Sequence, residues 1–121
     1  MERVYLDTNA FYFFFFEHEK YTHGITKVFG DIQEGSCRGV TTAFTLEELA
    51  YIVLMRLIEK RYERHPSNVL REDRTVVRQL AGRIQAMFDV IYSLQNLEIV
   101  EVDRNRVGGI PMTMERTCLL P

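Results

Sequence analysis

Asp7 is the first residue of the chain whose type and setting suit it to chemistry. It follows Val4-Tyr5-Leu6, a β-branched and aromatic run that reads as a short buried strand. Thr8 and Asn9 come next, and both are good helix N-cap residues. A carboxylate is therefore expected where a strand hands over to a helix, at the carboxyl edge of a parallel sheet, where open α/β sheets take their ligands. An Asp there can serve as a cap or turn residue. It can also bind Mg²⁺ or Mn²⁺, hard cations that prefer carboxylate oxygen.

A second group is basic. Lys60, Arg61, Arg64, Arg71, Arg74 and Arg78 fall close together in the chain, diluted by Glu59, Glu63, Glu72 and Asp73. The mixture reads either as a solvated, salt-bridged surface or as a phosphate grip through Arg61, Arg64, Arg71 and Arg74. Such a grip would make binding salt-dependent without reading sequence. His18 and His23 lie in a polar stretch and read as solvated surface histidines. Cys37 and Cys118 have no metal-type spacing and read as buried thiols of a reduced, cytoplasmic chain.

The composition bounds what these groups can belong to. With 121 residues, 46% hydrophobic and 26% charged, the chain reads as one globular domain over 1–121, large enough for a real core. A net charge of −2 supplies no global basic field for nucleic acid, so any such contact must be local. No signal peptide precedes the first strand, and no apolar run is long enough to span a bilayer, so no membrane partner is expected.

The elements that must position these residues alternate. After Asp7 comes Ala10 and then six consecutive aromatics, Phe11 to Phe16. Aromatics on all sides of a short helix cannot all face one core. Part of Phe13, Phe14, Phe15 and Phe16 is therefore expected at a homodimer interface. Ile25, Val28, Phe29 and Ile32 recur at helical spacing and stop at Gly35. Cys37 to Thr42 reads as a second strand. Thr45 and Glu48 form a capping-box pattern opening a third helix to about Arg61. Pro66 breaks helicity, and one fourth helix follows from Val69 to Ile91. Leu97 to Val102 alternates as a third strand, ended by Asp103. Pro111 is expected to open a last helix through about Thr117. The order predicts an α/β fold with a small parallel sheet and helices on both faces.

With those elements laid out, Val4-Tyr5-Leu6-Asp7-Thr8-Asn9 resembles the first motif of PIN domains, small metal-dependent nucleases of Rossmann-like α-β-α architecture. Thr41-Thr42-Ala43-Phe44-Thr45-Leu46-Glu47-Glu48-Leu49 resembles their second motif, a strand leading into a helix with an acidic residue. The match gives Glu48 the acidic position, with Glu47 as the adjacent alternative. The resemblance implies Asp7 and Glu48 as catalytic metal ligands for Mg²⁺ or Mn²⁺, with Asn9 and Thr42 positioning nearby groups. It implies RNA as substrate, and either an RNA-processing role or a toxin held by an antitoxin partner.

The sequence departs from the family at its end. PIN domains continue past a segment like Cys118-Leu119-Leu120-Pro121 into a helix opening with a third carboxylate and a strand delivering a fourth. This chain is therefore expected to be a PIN-like domain without its C-terminal helix and strand, with weakened metal binding and cleavage. Asp103 and Asp89 read as a turn cap and a solvated helix residue. The alternative function is a non-catalytic module of the same fold that self-associates or binds a partner through its aromatic helix.

Overall fold

The computed structural model describes residues 2–101 and the backbone of 116–118. Its centre is a parallel sheet. Strands β1 (Arg3–Leu6), β2 (Arg38–Thr42) and β3 (Leu97–Val100) lie side by side, and the three-residue β4 (Arg116–Cys118) pairs with the other edge of β1. The order is β3-β2-β1-β4, every pair parallel. Arg116 and Thr117, expected in a terminal helix, lie in this strand instead. The short segment completes the sheet beside β1, a long-range pairing that local turn signals such as Pro111 do not report. The rest of that expected helix, Val102 and Asp103 lie outside the described residues.

Among the described residues five helices connect and cover the strands: α1 (Thr8–Phe15), α2 (Thr22–Glu34), α3 (Ala43–Tyr62), α4 (Pro66–Glu72) and α5 (Val76–Ser93). The fold is thus mixed α/β. The fourth helix expected as one element is two. Asp73 accepts hydrogen bonds from both the backbone N–H and the hydroxyl of Thr75, at 2.9 and 2.6 Å, and this local turn breaks the helix between α4 and α5. Pro66 occupies the first position of α4, where its missing N–H costs nothing. Gly35 ends α2 at φ 87°, a left-handed cap that glycine adopts without strain.

The core forms where the helices meet the sheet. Val4 and Leu6 point to one face of β1 and are fully buried, together with Phe11, Ile32, Leu49, Ile58 and Ile91. Gly39, opposite Val4 in the β1–β2 register, lets α2 approach closely. A Cβ there would stand 2.9 Å from Ile32 Cδ1 and 3.1 Å from Leu97 Cδ1.

The aromatic run finds partners within the chain. Phe11 is buried against Phe29, with ring centroids 5.6 Å apart. Phe13 packs on His18 and Tyr21, Phe14 on Phe15 and Phe29, and Phe16 on Tyr12 with the Lys60 ammonium 5.3 Å from its centroid. Phe13 to Phe16 are all half-buried against the core. His18, expected as a solvated histidine, is half-buried. It stacks on Tyr21 at 4.7 Å, and its Nδ1 accepts the Lys20 N–H at 3.0 Å. No described helix is long and apolar enough to cross a membrane.

Candidate functional site

Asp7 ends β1 and is itself the N-cap of α1, a role expected of Thr8 or Asn9. The Ala10 N–H donates to Asp7 Oδ1 at 3.0 Å. The cap uses one carboxylate oxygen, at the positive end of the helix dipole. The structural role expected of an Asp at this position is therefore real.

The next helix is set in the same way from β2. Thr42 is the N-cap of α3, its Oγ1 accepting the Thr45 N–H at 3.1 Å. Thr45 and Glu48 therefore do not form the expected capping box. The helix begins at Ala43, because Thr42 already sits at the strand end with extended backbone and an acceptor oxygen. This earlier start carries Glu48 one turn into the helix and frees Thr45 for a second contact.

Because β1 and β2 are adjacent and parallel, α1 and α3 both begin at one sheet edge. There Asp7 and Glu48 line one cavity of about 270 Å³ with Tyr5, Thr8, Asn9 and Thr45. Asp7 and Glu48 are thus brought together, and Asn9 joins them. Glu47 is not in this group. It lines separate hollows with Ala43, Phe44 and Glu101. Thr42 stands behind the site, buried, and shares a 3.0 Å hydrogen bond with Thr45. Thr45 in turn lies 3.2 Å from the Tyr5 hydroxyl, so a chain of three hydroxyls connects the α3 cap to the cavity. Below it, the Thr41 hydroxyl donates to the Leu6 carbonyl at 2.9 Å and ties β2 to the residue before Asp7.

The electrostatics follow from this placement. Burial raises the Asp7 carboxyl above its ordinary value. Hydrogen bonds from the Ala10, Asp7 and Asn9 amides oppose the rise, and the Glu48 charge adds to it. Among the described residues no lysine, arginine or histidine lines the cavity. The two carboxylates, the hydroxyls of Tyr5, Thr8 and Thr45 and the Asn9 amide oxygen make an oxygen donor set, which suits a hard divalent ion rather than zinc or copper. Among the described residues no group of three or more His, Cys, Asp or Glu side chains clusters to hold a metal.

The basic residues lie elsewhere. Arg61 is near the C-terminal end of α3, about 20 Å along the helix from Glu48 at 1.5 Å per residue. Arg61, Arg71 and Arg74 are exposed. Arg64 spends its guanidinium on Glu72 in a bidentate pair at 2.7 and 2.8 Å, which raises the Arg64 value and lowers that of Glu72. None of the four lines the carboxylate cavity.

Tyr5, Thr8 and Thr45 are the site residues that sequence reasoning missed. Tyr5 alternates with the buried Val4 and Leu6 and so faces the other side of β1, a signal that was legible. Thr45 was masked by its match to a capping box. No protein-family model, no curated protein and no solved structure matches this chain.

Proposed function

We propose that the chain is a PIN-type, Mg²⁺- or Mn²⁺-dependent ribonuclease of three-layer α-β-α architecture, in which Asp7 and Glu48 hold the cation and RNA phosphodiesters are hydrolysed. The observation that carries this reading is the shared cavity: carboxylates from two different strand–helix units meet there with no cationic side chain among the described residues. The strand order supports it as well. β1 leads through its helices to β2 on one side while β4 flanks it on the other, so Asp7 stands at the crevice where α/β sheets take ligands.

When bound, such a cation neutralises phosphate charge and makes water a better nucleophile. The protein's own groups would do the rest. Asp7 offers one carboxylate from the end of β1, and Glu48 supplies the second from α3. Tyr5 and Thr45 present hydroxyls that can orient phosphate oxygens or hydration water at the same mouth. Asn9, exposed beside Asp7, is a further donor toward the substrate.

Cleavage of single-stranded RNA in Mn²⁺ tests the assignment. Asp7→Asn and Glu48→Gln are expected to lower the rate about 100-fold or more, as misplacing a positioned group does. Glu47→Gln, outside the cavity, is expected to stay near wild type. Equal cleavage by wild type and Asp7→Asn would remove Asp7 from the mechanism. The second reading, a non-catalytic interaction module, is favoured by the apolar surface that α3 and α5 leave exposed. Absence of both cleavage and Mn²⁺ binding in the wild type would select it.

A further inference from the structure

Helix α1 has two sides. Ala10 and Phe11 are fully buried, and Phe14 packs on the buried Phe29 with ring centroids 4.6 Å apart. Asn9, Tyr12, Phe13 and Phe16 recur at i, i+3, i+4 and i+7, and so share the other side. Asn9 is exposed and lines the carboxylate cavity, and the three aromatics are only half-buried.

The rings on that side meet in a row. Tyr12 stacks on Phe16, with centroids 4.8 Å apart and planes 28° apart. Phe13 meets Tyr12 edge-on at 5.5 Å, and Tyr21, also half-buried, meets Phe13 at 5.3 Å. A cation closes the row at each end. The Lys60 ammonium lies 5.3 Å from the Phe16 centroid, and that of Lys20 lies 5.4 Å from the Tyr21 centroid. Among the described residues neither lysine pairs with a carboxylate, although Glu17, Glu19 and Glu59 are close to them in the chain. Each keeps its charge on a ring face, where a phosphate can still reach it.

We propose that this strip of rings is a stacking platform for the bases of an unstructured RNA strand, with Lys20 and Lys60 meeting its phosphates. The ligand rests on the ribonuclease reading, and the platform extends it: a strand held along α1 reaches Asp7 and Glu48 past Asn9. Every base offers a π face to an aromatic side chain, and bases already stacked in a duplex do not, so such a strip selects single strands. Purines, with the larger ring system, stack more strongly. Two ammonium groups without carboxylate partners, on a surface continuous with a cavity for a phosphate-binding cation, suit a polyanion better than a protein segment.

Fluorescence anisotropy with short labelled oligoadenylate and oligouridylate tests the platform. The full chain is used in EDTA, so that neither metal nor cleavage enters, and circular dichroism confirms that each variant is folded. The wild type is expected to bind oligoadenylate more tightly than oligouridylate, and either more tightly than their duplex. Tyr12→Leu and Phe16→Leu keep apolar bulk and lose the ring. Each is expected to weaken binding about fivefold or more, whereas Tyr92→Leu on α5 should leave it unchanged. Lys20→Ala and Lys60→Ala should weaken both oligonucleotides alike, each lowering the salt slope by about 0.7. Leucine variants that bind as tightly as the wild type overturn the proposal, and so does a wild type that binds duplex and single strand equally. A wild type with no affinity for RNA also overturns it, whether the strip then takes a protein segment or nothing. Cleavage in Mn²⁺ judges the ribonuclease reading separately. Cutting by a wild type whose leucine variants bind unchanged keeps that reading and removes the platform, and ring-dependent binding without cutting does the reverse.

Discussion

At the scale of the residue, Asp7 carries two duties that pull its energetics in opposite directions. As a cap it stabilises α1. As a carboxylate raised by burial and by Glu48, it costs stability when ionised. The sign is fixed by linkage. A carboxyl with a folded value above its unfolded 3.8 binds its proton more tightly in the folded state, so stability falls as pH rises through that range. Asn caps a helix nearly as well as Asp and carries no charge. Asp7→Asn is therefore expected to raise the melting temperature at neutral pH while lowering the proposed cleavage about 100-fold or more. The difference should shrink as pH is lowered below 3.8, where wild-type Asp7 is protonated. Paired thermal melts at neutral and acid pH check this, and a variant less stable than wild type at neutral pH would contradict it.

At the scale of the element, α3 is the piece whose position decides the site. Its start at Ala43 rather than at Thr45 sets which carboxylate turns toward Asp7: Glu48 faces the cavity and Glu47 faces Phe44 and Glu101. Thr42 fixes that start through one buried hydroxyl bonded to both the N–H and the hydroxyl of Thr45. Thr42→Ala removes the cap and leaves the buried Thr45 N–H without its acceptor, while the Thr45 hydroxyl keeps Tyr5. It is expected to cost about 1–2 kcal/mol, a fall in melting temperature of about 4–8 °C for each kcal/mol in a small domain. Thr42→Ser, which keeps the oxygen, should recover most of the loss. Chemical denaturation of the three proteins measures the difference, and an alanine variant as stable as wild type would deny Thr42 its role. The break between α4 and α5 shows the same physics. The apolar spacing from Val69 to Ile91 suits a single helix, but Asp73 and Thr75 satisfy each other locally and interrupt it.

At the scale of the whole molecule, the cavity spans two elements that only the sheet holds together. A cation bound by Asp7 and Glu48 would tie α1 to α3 in the folded chain and find no such pair in the unfolded one. Mn²⁺ is therefore expected to raise the melting temperature with a logarithmic dependence on concentration, by about 2.7 kcal/mol at a hundredfold excess over the dissociation constant. EDTA should reverse the rise, and Asp7→Asn should abolish it. Scanning calorimetry with and without metal measures this. An equal rise in wild type and in Asp7→Asn would show that the ion binds elsewhere.

The local reading went far because the signals involved are local. Val4 to Leu6 followed by Asp7, the α2 spacing ended by Gly35, and the strand-to-helix passage at Thr42 depend on neighbours a few residues away, and all appear in the structure. The α/β class followed from their alternation. The choice of Glu48 over Glu47 rested on a resemblance at the sequence level and became geometry only once α3 lay beside α1. Tertiary structure alone decided three further matters. It paired Arg116–Cys118 with β1 across more than a hundred residues, where no short-range pattern marks a strand. It gave the consecutive aromatics partners from α2, α3 and the following loop, so the exposed apolar surface lies on α3 and α5 instead. It also set the arginines at the far end of α3 from the carboxylates. Each of these depends on which surfaces of distant segments exclude water together, a property of the packed chain that residue type and spacing do not carry.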